Sequence, residues 1–82
     1  MDYIISPVVT EKTTIMMEKE NKLTFMVDRR GRKDDIKKEI EERFDVKVVA
    51  LNILITKKGK KAIAKLANEF SAEEIGGRIG IF

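Results

Sequence analysis

The sequence predicts an α+β fold in the order β-α-β-α-β-β, closed by a short last helix. Three observations carry it. Residues 22–28 alternate apolar and polar, residues 33–44 bear one apolar stripe at helical spacing, and two β-prone runs flank a lysine-rich turn. Eighty-two residues make a single domain, 1–82, with a modest core.

The elements follow in order. Tyr3-Ile4-Ile5 is a short β-prone run, and Ser6-Pro7 ends it, because proline lacks a backbone donor and biases Ser6 away from the helix. Thr10 is the expected N-cap of a helix over 11–20, where Glu11 in the first turn suits the helix dipole. Asn21-Lys22 forms the turn out. In 22–28, Leu23, Phe25 and Val27 share one face and Thr24, Met26 and Asp28 the other. Arg29-Arg30-Gly31-Arg32 is a loop.

In 33–44, Ile36, Ile40 and Phe44 lie at i, i+4 and i+8, with Asp34 and Asp35 in the first turn. That stripe can cover one face of a sheet. Residues 46–56 are a β-branched run, and Lys57-Lys58-Gly59-Lys60 a hairpin turn in which Gly59 supplies a positive φ. Residues 61–67 return with Ala62, Ala64 and Leu66 on one face and Lys61, Ile63 and Lys65 on the other. Ser71 and Glu74 have capping-box spacing for the last helix, which Gly76-Gly77 should end. A strand of about 11 residues would span roughly 36 Å, against a radius of gyration near 12 Å for such a chain. The basic hairpin is therefore expected to protrude.

Composition excludes much chemistry. The chain has no Cys and no His, which removes disulfides, thiolate nucleophiles, the usual zinc sets and imidazole bases. Ser6 and Ser71 lack an activating partner. No catalytic residue, cofactor or metal site is expected, and Asp34, Asp35, Glu41 and Glu42 are expected on exposed helix faces. The absence of cysteine, with no signal peptide, points to the cytoplasm. The longest uncharged stretch, nine residues at 48–56, is far short of a membrane span, so no membrane insertion is expected.

Charge is segregated. The net charge is +3, yet residues 29–33 hold four bases and no acid, residues 34–45 six acids and three bases, and residues 46–68 six lysines and no acid. Such segments repel themselves unless a polyanion partners them. The acidic helix 33–44 disfavours a helix-in-groove DNA reader. Aromatic residues are too few for a base-stacking sheet platform, and Phe25 belongs to the core. The pattern favours RNA recognised through its backbone, with a basic adaptor for an acidic protein as the alternative. Met16 and Met17 fit core packing, while Ile79, Ile81 and Phe82 could either fold back or insert into a partner.

The opening Ser6-Pro-Val-Val-Thr-Glu-Lys-Thr13, the strand at 22–27, the helix at 33–44, the Lys57-Lys-Gly-Lys-Lys61 turn and the Ile79-Gly-Ile-Phe82 ending together resemble ribosomal protein L23, in its archaeal and eukaryotic branch. The resemblance covers essentially the whole chain. It implies an antiparallel four-stranded sheet with helices packed on it, and a structural, non-catalytic role in the large ribosomal subunit. It also implies binding to large-subunit ribosomal RNA near the polypeptide exit tunnel, among neighbouring ribosomal proteins. Signal recognition particle and the translocon are implied partners at the tunnel exit. On this sequence the RNA contacts would fall on Thr10, Lys12, Arg29, Arg30, Arg32, Lys33, Lys57, Lys58, Lys60, Lys61 and Lys65. Glu11 matches the position that bacterial members offer to a ribosome-bound chaperone. The hairpin turn is shorter than the bacterial loop that reaches the tunnel wall, so no tunnel lining is expected.

Overall fold

A computed structural model describes residues 2–80. The chain runs β1 (Ile4–Pro7), α1 (Glu11–Glu20), β2 (Lys22–Val27), α2 (Lys33–Phe44), β3 (Val48–Thr56), β4 (Gly59–Leu66) and α3 (Ala72–Arg78). The strands form one sheet in the order β1-β2-β4-β3, each neighbouring pair antiparallel. Strands β2 and β3 thus run parallel with β4 between them, and α2 is the crossover that joins them.

The core follows the alternation of the strands. Leu23, Phe25 and Val27 of β2 and Ala62, Ala64 and Leu66 of β4 are buried in one cluster with Ile36 and Ile40 of α2. The register sets Leu23 opposite Ala64 and Phe25 opposite Ala62. Two alanines in the central strand leave room for the isoleucines of α2, both with no exposed surface. Phe44 stacks on Phe25 with ring centroids 5.4 Å apart and planes 10° from parallel. Truncating either isoleucine would leave a cavity, at a cost of about 2–5 kcal/mol.

Some boundaries differ from expectation for local reasons. Pro7 is paired, opposite Phe25, because β1 is an edge strand where a missing donor can face outward. Strand β3 starts at Val48 because Val46 N–H donates to the Glu41 carbonyl at 3.2 Å and Val48 N–H to the Glu41 carboxylate at 2.9 Å. A bulge between Val48 and Ala50 turns both Val48 and Leu51 inward, a spacing strict alternation forbids. Helix α3 continues through Gly76-Gly77 to Arg78, with Ile75 buried beneath it and Ile79 packed against the core. Ile81 and Phe82 lie outside the described residues. At Ser71 only half of the capping box forms: its Oγ accepts from Glu74 N–H at 3.2 Å, while the Glu74 carboxylate pairs with Arg78. The reciprocal box is at Thr10 and Thr13, each hydroxyl accepting the other's backbone N–H.

The hairpin stands clear of the body less than expected. Strand β4 stays paired with β2 as far as Lys60, opposite Val27, so only the turn at Lys57 and Lys58 extends beyond the sheet. The β3–β4 ribbon fits within a molecule whose longest extent is 29 Å.

Asn21 ties the far end together. It adopts the left-handed conformation at φ 56° that ends α1. Its side-chain amide donates to the carbonyls of Leu66, Ala67 and Phe70, and its carbonyl oxygen accepts Ala72 N–H at 2.7 Å. One side chain therefore fixes the exit of β4 and the start of α3. Asn21→Ala should cost about 3 kcal/mol, from orphaned backbone groups and a strained φ. Asn21→Gly keeps the conformation and should cost less, about 2 kcal/mol. Urea denaturation of both variants checks the order.

Candidate nucleic-acid interface

The two basic segments meet at one end of the sheet. Residues 28–32 leave β2 in a tight turn organised by Asp28. Its Oδ1 accepts Arg30 N–H at 2.8 Å and Arg30 Nε at 3.1 Å, and its Oδ2 accepts Arg30 Nη2 at 3.1 Å. The Arg30 guanidinium holds the Asp28 carboxyl down at about 2, from 3.8, and Asp28 in turn raises Arg30. Gly31 is buried against Tyr3, where an added Cβ would lie 2.9 Å from the ring. The Gly31 carbonyl accepts Lys60 Nζ at 2.6 Å. Lys60 thereby staples the hairpin to the arginine loop.

At the turn itself, Gly59 sits at φ +133°, where a side chain would be strained, and its carbonyl accepts Thr56 Oγ1 at 2.8 Å. Lys57 and Lys58 are exposed there, as are Arg29 and Arg32 across the loop. Further along β4, Lys61 stands opposite Met26 and Leu54, and Lys65 opposite Lys22 and Ala50, on the face turned away from the buried alanines. Lys61 and Lys65 thus extend the basic surface along the strand.

Of the other expected contacts, Lys33 directly follows Arg32, whereas Thr10, Glu11 and Lys12 lie on another surface. Lys33 is exposed at the start of α2, in a shallow groove with Lys37 and Val49. Thr10, Glu11 and Lys12 border a separate surface of α1 with Ile15 and Met16. Met17, as expected, is buried, and Met16 is half-buried.

Sequence reasoning missed how the acids are used. Glu41 is half-buried, not solvated, and receives Val48 N–H. Glu39, only 12% exposed, accepts Tyr3 N–H at 2.6 Å and Ile4 N–H at 2.8 Å and pairs with Arg43. Asp35 receives Arg32 N–H at 3.4 Å. The Asp-x-Arg spacing at 28–30 carried a signal for a side-chain-closed turn, whereas Glu39 lies in a helix rich in acids and nothing local singled it out. Among the described residues, salt bridges engage Lys22, Arg30, Arg43 and Arg78, and none of the six lysines in 46–68 has one. No cluster of potential metal ligands occurs among the described residues, and no helix among them is long and apolar enough to cross a membrane.

Comparison with known proteins adds a second line. The family model for ribosomal protein L23 matches residues 2–74. The chain is 67% identical over 82 residues to large ribosomal subunit protein uL23 of Picrophilus torridus, covering all of both chains. It is 67% identical over 81 residues to the protein of that name from Thermoplasma acidophilum, covering 99% of this chain and 96% of that one. Against the Methanococcus aeolicus protein it is 46% identical over 82 residues, covering 99% and 95%.

The Asp28–Arg30 pair generates a pH expectation. A depressed carboxylate stabilises the fold above its unfolded value, near 3.8, and that contribution is lost as pH falls toward 2. An NMR titration of the Asp28 carboxyl carbon should show a midpoint near 2, moving up toward 3.8 in Arg30→Gln.

Proposed function

The chain belongs to the ribosomal protein L23 family, and from that premise we propose that it binds large-subunit ribosomal RNA near the polypeptide exit tunnel. At the coarser level it is a structural, non-enzymatic constituent of the large ribosomal subunit, working in the ribosome of the cytoplasm among ribosomal RNA and neighbouring ribosomal proteins. The observation that carries the RNA reading is that, among the described residues, the six lysines of 46–68 have no salt bridge, while Lys57, Lys58 and Lys60 share one end of the sheet with Arg29 and Arg32. Unpaired, mostly exposed cations are held ready for phosphates, and each phosphate neutralised releases condensed counterions.

Two surfaces share the work in this reading. The end formed by Arg29, Arg32, Lys57, Lys58 and Lys60, with Lys61 and Lys65 along β4, tracks the RNA backbone, and Arg30 lies among them with its charge compensated by Asp28. Lys33 adds a cation at the start of α2. Thr10 and Lys12 contact RNA at the start of α1, where the neighbouring Glu11 offers a docking point to nascent-chain factors such as signal recognition particle and the translocon.

Salt dependence tests this directly. Binding to deproteinised large-subunit ribosomal RNA should weaken linearly in log–log form with salt. Replacing Lys57 and Lys58 together by Gln should flatten the slope by about 1.5, and the Lys61/Lys65 pair by a similar amount. A slope that neither pair alters would overturn the assignment of those lysines.

A further inference from the structure

Arg30 differs from the cations around it. Its guanidinium is gripped by Asp28 through Nε and Nη2, both at 3.1 Å, so its plane is fixed and its charge compensated. Yet its side chain is 73% exposed. A neutralised group is a poor phosphate clamp, but a planar guanidinium held still with its surface open is a good platform for stacking.

Beside it lies a cleft of about 480 Å³ between the loop and the hairpin tip, within the ~300–1,000 Å³ typical of small-ligand clefts. One part is apolar, from Ile5 and Met26, and the rim carries Arg29, Arg30 and Lys58. Ile5 is 67% exposed, an apolar surface without a partner in the fold. Gly59 also borders the cleft, and a Cβ there would come 3.1 Å from the Met26 methyl. Phosphate alone needs no apolar wall, and an apolar peptide needs no cationic rim. A nucleotide needs both.

We propose that this cleft seats an unpaired nucleobase of the bound RNA, with Arg30 as the stacking surface and Arg29 and Lys58 on the flanking phosphates. The inference rests on the RNA-binding reading and assigns a base-contacting role to one part of it. Asp28 acts through Arg30, as a positioning residue.

The test compares three probes by fluorescence anisotropy at several salt concentrations: deproteinised large-subunit ribosomal RNA, a twelve-nucleotide oligoadenylate, and an abasic ribose-phosphate twelve-mer of equal charge. The wild-type protein should bind oligoadenylate about tenfold more tightly than the abasic chain, the scale of one stacked base. Arg30→Gln should abolish that preference and leave the salt slope on ribosomal RNA unchanged. Asp28→Ala, although it removes a negative charge, should also weaken oligoadenylate binding, with thermal melts reporting that both variants are folded. Equal binding of the two twelve-mers, a slope shortened by one contact in Arg30→Gln, or tighter binding by Asp28→Ala would each overturn the stacking role while leaving RNA binding intact. Failure of the wild type to bind ribosomal RNA would overturn both.

Discussion

A strand in the middle of a sheet has neighbours on both edges and must satisfy two faces at once. Strand β4 does so with the smallest apolar residues available. Ala62 and Ala64 face the helices with no exposed surface, and their lack of bulk leaves the space that α2 fills with Ile36 and Ile40. Because side chains alternate across a strand, the same segment turns Lys61 and Lys65 to the opposite face. Core packing and the presentation of charge are therefore one decision, made residue by residue along a single strand. A slip of one residue would put lysines under α2 and alanines on the surface.

Charge segregation has a second cause in α2. Three of its acids hold backbone groups, while Asp34 and Glu42 are exposed as expected. Glu39 holds the start of β1, Glu41 the start of β3, and Asp35 the backbone of Arg32. Carboxylates committed to backbone N–H groups cannot travel to the lysines of the hairpin. Asp28 is the exception, an acid inside the basic end, and it is spent on the neighbouring arginine. Several acids thus have structural duties away from the hairpin, its lysines have no salt bridge among the described residues, and a basic surface coexists with a net charge of only +3.

Most of the architecture was legible in the sequence, because periodicity reports burial. Leu23, Phe25 and Val27 gave β2 its inward face, the Ile36–Ile40–Phe44 stripe gave α2, and Thr10 and Gly59 marked a cap and a turn. What escaped depended on partners distant in sequence. The bonds from Asn21 reach residues 66–72, and those from Glu39 reach back to residues 3 and 4, spacings that no local pattern encodes. The Val48 bulge escaped because an inserted residue breaks the alternation used to read it. The candidate site was legible as two basic segments. That Lys60 joins them, and that Arg30 is neutralised, required the geometry.

The sheet order also constrains assembly on the ribosome or off it. Strands β2 and β3 are separated in space by a strand made after both of them. Until residues 59–66 emerge, the two have no backbone partner between them, and the nascent crossover encloses a vacant slot. Closure is thus deferred until β4 is free to zip onto the adjacent β3 through a short loop and dock along β2 some forty residues upstream. This long-range step carries a loop-closure cost that the short β3–β4 hairpin does not.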